Sequence, residues 1–373
     1  MKILIVARNF YPSILGGPSI TLYWLACALV KHSIEVSVVT SSDNVVDSKI
    51  KFNEWLEIDG VNVFYAKVKE SDTFHLSVCH EVKNVIKAYD IVVLGSLFYK
   101  PAFYTALLSR IYDKKLIWSP RGELFESAIK GSKLKKSFIS IEKLFFKAKT
   151  LFHATSQAEE QLIYDYFGKT SRVVVLPNYL VIPKQVDRDN SIKYLLFVGR
   201  IAPIKALHKL FVALAQSEKF RKSNFRFLVA GKVEAQFQNY KKELDSLISD
   251  LGMEDKIDFI GSVVGVDKEK LYANAYMSFL VSDSENFGNV VIEALSQGTP
   301  VVTSKGTPWQ ELVEHKAGYW VANDTKSLVG CIDELLELSD VEYLCMRKNA
   351  LAYAMTFDID KNISKWIETF ISI

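Results

Sequence analysis

The sequence predicts an α/β protein of two doubly wound parallel-sheet domains facing a cleft. Three observations carry that prediction. Short apolar runs rich in β-branched and aromatic residues recur along the 373 residues, and most do not alternate with polar positions. That is the pattern of parallel strands covered on both faces. Amphipathic stretches of helical period separate the runs, which makes βαβ units with right-handed crossovers. The series then repeats after a polar stretch, 179–191, which holds Pro183, Asp187, Arg188, Asp189 and Asn190 and reads as a linker. The domains are therefore expected at 1–185 and 186–356.

The elements follow in order. The chain opens on Met1-Lys2-Ile3-Leu4-Ile5-Val6-Ala7 and then meets Arg8 and Asn9. That run is too short for a signal peptide and suits a buried strand at 3–7. Further strands of the first domain are expected at 34–40, 61–66, 91–94, 116–118, 151–154 and 173–176. Helical periods at 19–31 and 133–147 lie among them. The second domain repeats the pattern, with strands at 194–198, 225–230, 257–260, 277–281, 300–303 and 319–322 and helices at 207–220 and 328–338. Ligands of such sheets sit at the carboxyl ends of strands, so the residues just after each strand are the ones to read for chemistry.

Composition narrows the classes. Hydrophobic residues make up 49% and charged residues 24%, which argues against disorder. No apolar run approaches the roughly 18–20 residues of a membrane-spanning helix. The four cysteines, at 27, 79, 331 and 345, form no C-x-x-C pair and have no histidine cluster beside them. A reducing cytosol is the expected compartment. Residues 1–185 hold 24 Lys and Arg against 17 Asp and Glu, whereas 186–373 hold 22 against 26. A basic first half is expected to meet something anionic.

Three strand ends carry chemistry. Gly16-Gly17-Pro18-Ser19 stands between the first strand and its helix. A glycine pair there lets amides close on an anion at a helix N-terminus, although a plain strand-to-helix turn reads equally. The G-x-G-x-x-G fingerprint is missing, which argues against a nicotinamide enzyme. In the second domain Gly199 ends a strand, and Arg200 and Lys205 follow before a helix. Two cations at that place suit a diphosphate. The third stretch runs from Ser282 to Pro300. Glu285 lies in its loop, Phe287-Gly288 permits close backbone approach, and a helix opens at Asn289-Val290 with amides turned to an anion. Glu293 sits one turn into that helix, and Gly298-Thr299-Pro300 closes it.

The spacing of Glu285 and Glu293, the Gly199-Arg200 and Lys205 pattern and the Gly16-Gly17 loop together resemble glycosyltransferase family 4. The resemblance spans nearly the whole chain. It implies a GT-B fold of two Rossmann-like domains, with the nucleotide-sugar donor on the second and the acceptor on the first. It implies retaining transfer with no metal and no cofactor besides the donor, and a terminal helix, about 358–371, that packs back on the first domain. Carried over, Arg200 and Lys205 hold the donor diphosphate, Glu293 the ribose, and Glu285 the donor sugar. The backbone of Phe287, Gly288, Asn289 and Val290 holds sugar and phosphates, with Gly16 and Gly17 on the donor's other side. The sequence departs from the family at Asn286, where many members have Gly or Pro, and at the first-domain strand that often ends in a histidine. The stretch Ser119-Pro120-Arg121-Gly122-Glu123 resembles a branch of bacterial surface-polysaccharide glycosyltransferases. Arg121 is its candidate for the donor sugar or acceptor, with Glu123 on the acceptor side; a structural Arg is the equal alternative. His153 reads as structural.

Two rival readings stay open: a sugar-nucleotide epimerase on the same fold, and a non-catalytic scaffold of a polysaccharide assembly complex. Asp187/Asp189 and Asp358/Asp360 form D-x-D pairs, but one lies in the linker and the other opens the terminal helix, where acids suit the dipole. No nucleic-acid module is recognisable. The stretch 130–149 holds Lys130, Lys133, Lys135, Lys136, Lys143, Lys147 and Lys149 against one acid, Glu142, with apolar residues between them. It reads either as a peripheral contact with an anionic membrane, on the inner face of the cytoplasmic membrane, or as an ordinary solvated helix face. The acceptor is expected to be a glycan or lipid-linked glycan.

Overall fold

The computed structural model describes residues 1–13, 16–45, 47–69, 72–146, 149–189 and 193–373. Lys147 and Asn190, singled out above, lie outside the described residues. The chain forms two compact units, Met1–Val181 with Asp358–Ile373, and Ile182–Phe357.

The first unit is an eight-stranded sheet. Its strands are β1 (Lys2–Ala7), β2 (Glu35–Ser41), β3 (Trp55–Ile58), β4 (Val61–Ala66), β5 (Ile91–Leu94), β6 (Lys115–Trp118), β7 (Thr150–Ala154) and β8 (Arg172–Val175). Their spatial order is β3-β4-β2-β1-β5-β6-β7-β8. All neighbours are parallel except β3 and β4, which form an antiparallel hairpin at the edge. The central strands bury both faces. Leu4 and Val6 face one hydrophobic cluster, Ile3 and Ile5 the other. On that second face the helix Gly16–Lys31 packs Leu22, Leu25, Ala26 and Leu29 into the core. The terminal helix Ile359–Ser372 joins it with Ile359, Ile363, Trp366 and Phe370, an i, i+4, i+7, i+11 stripe. Lys31 and Asp360 pair across the two helices at 3.2 Å.

The second unit is a six-stranded parallel sheet. Its strands are β9 (Tyr194–Val198), β10 (Arg226–Ala230), β11 (Ile257–Gly261), β12 (Met277–Leu280), β13 (Val301–Ser304) and β14 (Gly318–Val321). The order β11-β10-β9-β12-β13-β14 puts β9 at the point where the winding reverses. Ligands of open α/β sheets bind beyond the strand ends at such a point. The loops after β9 and β12 are neighbours because these strands pair in register, Leu195 with Met277 and Phe197 with Phe279.

Candidate functional site

After β9 the chain passes through Gly199 to Arg200 and a single 3-10 turn, Pro203–Lys205. Proline fixes the first backbone angle of that turn. The turn is tied to the loop after β12, where the Asp283 amide donates to the Ile204 carbonyl at 2.9 Å. This places the Lys205 ammonium against the Glu285 carboxylate. Their side chains are only 13% and 17% exposed, so the pair is shielded from solvent screening. Glu285 is held in turn by its own amide, which donates to the Gly306 carbonyl at 2.9 Å. One turn further on, Lys209 pairs with Asp283 at 2.5 Å, and Asn323 donates to the same carboxylate at 2.8 Å.

The loop then turns into the helix Asn289–Ser296 through Gly288, whose φ is +84°. A Cβ here would lie 2.6 Å from the Leu280 side chain, so both conformation and space call for glycine. Phe287 is buried against the Trp309 ring, 5.1 Å between centroids, and its carbonyl accepts from the Trp309 indole nitrogen. The aromatic clamp sets where the helix begins. No acid occupies its first turn, which leaves the positive end of the dipole uncompensated by an acid of its own. Val290 lies in that first turn, partly exposed. Glu293 follows, with Lys268 at 2.6 Å and the Tyr272 hydroxyl donating at 3.1 Å.

Arg200 stands apart from this pair. Its side chain is 56% exposed and reaches Glu234 in the loop after β10, at 3.4 Å. The backbone below it is tight: a Cβ on Gly231 would lie 1.8 Å from the Gly199 carbonyl oxygen. A groove of about 830 Å³ behind the Pro203 turn is lined by His208, Phe237, Tyr240 and Glu243. The helix Gln238–Asp250 walls it, and neither Lys205 nor Glu285 is among the residues that line it.

In the first unit, Gly16 and Gly17 open the helix Gly16–Lys31 itself rather than preceding it. Arg121, after β6, has φ +49° and is followed by Gly122 at +86°. Its guanidinium donates to Thr21 Oγ1 at 3.1 Å, in the second turn of that helix. Its Nε is buried with no partner among the described residues. Burial lowers its pKa to about 10, opposed by Glu159. Glu123 is taken up within the unit. It accepts from Ser96 Oγ at 2.6 Å and from the amides of Leu97 and Phe98, and burial holds its carboxyl above the usual range. Those bonds join the loops after β5 and β6 and engage both of its oxygens. His153 is also interior. Nδ1 lies 2.7 Å from Ser119 Oγ and Nε2 2.8 Å from the Leu176 carbonyl. Burial pushes its pKa down to about 3, so it is a neutral structural ring.

The residues that reading from sequence passed over are mostly supports. Glu159 accepts from the amides of Gly122 and Thr155 at 2.6 and 2.8 Å and fixes the Arg121 loop. Its signal was present as Ser156-x-x-Glu159, the pattern that starts a helix. Lys209, Lys268, Tyr272 and Trp309 had no such local signal, because their partners are distant in sequence. Among the described residues no three His, Cys, Asp or Glu side chains are grouped as metal ligands.

Comparison with known proteins covers both units. Residues 16–179 match the family model "Glycosyl transferase 4-like domain", and residues 181–353 match "Glycosyl transferases group 1". A GDP-mannose:cellobiosyl-diphosphopolyprenol alpha-mannosyltransferase of Xanthomonas oryzae pv. oryzae is 22% identical over 99% of this chain and 96% of its own. The O-antigen chain mannosyltransferase RfbU of Salmonella typhimurium is 23% identical over 54% of this chain and 57% of its own. Among solved structures, Anabaena Alr3699/HepE in complex with UDP and glucose matches with TM-score 0.80 at 22% identity, covering 100% of both chains.

Proposed function

The chain belongs to the GT-B glycosyltransferases of family 4 type, and from that premise we propose a retaining, metal-independent transfer from a nucleotide sugar to a lipid-linked glycan. The observation that carries the donor side is the Lys205–Glu285 pair at the winding reversal of the second sheet, beside the Gly288 helix start. In this reading Lys205 and Arg200 meet the diphosphate, the amides of Gly288, Asn289 and Val290 meet sugar and phosphates, Glu285 meets the sugar, and Glu293 the ribose. Gly16, Gly17 and Arg121 serve from the first unit.

The chemistry follows from where charge develops. As the anomeric carbon parts from the β-phosphate oxygen, negative charge grows on the leaving diphosphate. Fixed cations and helix amides stabilise that charge at no reorganisation cost. The acceptor hydroxyl forms its bond on the face being vacated and passes its proton to the departing phosphate, which leaves the configuration unchanged. Asp283 and Glu285 each face a lysine, which supports their work as partners of cations rather than as metal ligands. The Xanthomonas relative is named for a diphosphopolyprenol acceptor, and this supports an acceptor on a lipid carrier for polysaccharide assembly, met at an anionic membrane through 130–149. The epimerase and scaffold readings gain no support. Thermal-shift titration with UDP-, GDP- and dTDP-sugars tests the donor site. One of them at 100 times its dissociation constant is expected to stabilise by about 2.7 kcal/mol. No shift with any of them would remove the reading.

A further inference from the structure

The Lys205–Glu285 pair exists only while two loops keep register, and a residue outside the pair ties those loops together. A lysine ammonium rides on a flexible four-carbon stem, so its place depends on how firmly the backbone on either side is held. Ile204 precedes Lys205 in the 3-10 turn, and Lys209 follows four residues later in the first turn of the helix Leu207–Gln216. Asp283, in the loop after β12, takes hold of both. Its amide donates to the Ile204 carbonyl at 2.9 Å, and its carboxylate accepts from the Lys209 ammonium at 2.5 Å. One residue thus straddles Lys205.

Asp283 is itself held from the edge of the sheet. Asn323 follows β14, just before Asp324 caps the helix Thr325–Leu335. Its amide nitrogen donates to the Asp283 carboxylate at 2.8 Å and to the Val281 carbonyl at 2.7 Å. Both hydrogens of that nitrogen go to one loop, two residues apart. The flipped amide would set its carbonyl oxygen against the same two acceptors, so the donors fix how the side chain sits. The loop after β13 closes a third side. The Ser304 hydroxyl donates to the Ser282 carbonyl, and a Cβ on Gly306 would lie 2.5 Å from the carbonyl oxygens of Ser282 and Asp283. The Lys209 and Asp283 side chains are 35% and 40% exposed, so their pair adds little to the stability of the fold. What it secures is position.

We infer that Asp283, braced by Lys209 and Asn323, is a positioning residue for the transfer: it sets where the Lys205 ammonium and the Glu285 carboxylate stand as the diphosphate departs. The inference rests on the donor reading above and adds to it three residues to which that reading gives no ligand. Lys205 works hardest when charge has grown on the leaving phosphate, so a displaced ammonium costs turnover more than donor affinity. A shift of about 1 Å is enough to cost about 10²-fold.

Steady-state nucleoside-diphosphate release tests it, with lipid-linked acceptor and whichever UDP-, GDP- or dTDP-sugar the wild type uses. Asp283→Ala and Lys209→Met are each expected to lower kcat by about 10–10²-fold and to leave the donor KM within about threefold. The double variant is expected to be no worse than either single one, because each removes the same tie. Asp283→Asn keeps the size and the acceptor oxygen, and is expected to recover most of the turnover. Urea unfolding of Lys209→Met is expected to match the wild type, since the pair is half in solvent. Single variants with wild-type kcat, losses that add in the double variant, or a raised KM at unchanged kcat each overturn the bracing. An Asp283→Asn as impaired as Asp283→Ala overturns it too, because the carboxylate would then act through its charge. A wild type that turns over no sugar of the panel removes the donor reading, and the bracing with it.

Discussion

At the scale of single residues, Glu142 shows how far an environment can overrule composition. In sequence it is the lone acid in a lysine-rich stretch, where a solvated salt-bridge partner is the natural reading. In the fold its carboxyl is buried, and neither oxygen has a hydrogen-bond partner among the described residues. Burial pushes its pKa up to about 9, and the neighbouring Glu123 adds to the rise. Lys135, the nearest cation acting on Glu123, donates to a backbone carbonyl instead. The folded protein therefore binds a proton that the unfolded chain has released above about pH 4.5. Stability should fall as pH rises from about 4.5 to about 9, and level out beyond. Urea unfolding of Glu142→Met checks this: the variant should gain about 1–3 kcal/mol at pH 8 and lose most of that slope. An unchanged pH profile would show that the carboxyl is not the source. Burial also governs His153, which the sequence already read as structural, and Glu123, whose oxygens are engaged by the loop after β5.

Elements were more legible than side chains. Thirteen strands were expected from unalternating apolar runs, and each lies within about two residues of its expected place. The strand that was missed, β3, is an antiparallel edge strand whose residues alternate between exposed and half-buried. Its signal was different in kind: Ile58-Asp59-Gly60-Val61 is a two-residue hairpin turn, with both central residues at positive φ. The helix expected at 207–220 is two, Leu207–Gln216 and Glu218–Lys222, because Ser217 caps the second with its own hydroxyl. Gly288 decides the geometry of the loop after β12 at this scale. Gly288→Ala combines a left-handed backbone with a contact inside 3.0 Å. It is expected to destabilise the protein by about 1–3 kcal/mol and to weaken donor binding, measured by denaturant unfolding and by titration. Wild-type values for both would mean that the loop relaxes freely.

At the scale of the molecule, the doubling of the strand series in sequence corresponds to the two units, with observed edges at 181/182 and 357/358 rather than near 185 and 357. The small shift arises because Leu180 pairs with Asp358 and accepts from the Ile359 amide, which draws the start of the linker into the first unit. The terminal helix is the element that composition could not place, since amphipathicity shows that a helix needs a partner and not which one. Its docking makes the first unit discontinuous. Truncation after Phe357 should expose Leu22, Leu25 and Leu29 and lower the first unit's stability, while leaving Lys205 and Glu285 covered as before. Limited proteolysis should then cut the first unit and spare the second. Equal resistance of both units would contradict the packing.

The central claim is that protein cations at the second sheet's winding reversal hold and discharge a nucleotide-sugar donor without a divalent ion. The measurement that bears on it most directly is nucleoside-diphosphate release from a panel of nucleotide sugars in excess EDTA, with lipid-linked acceptor, for wild type and Lys205→Ala. The account predicts turnover of at least one donor by the wild type in chelator, and a loss of about 10²–10³-fold in a folded Lys205→Ala, the scale for one transition-state charge partner. Abolition by EDTA with rescue by Mg²⁺ or Mn²⁺, or a Lys205→Ala that turns over like the wild type, would contradict it.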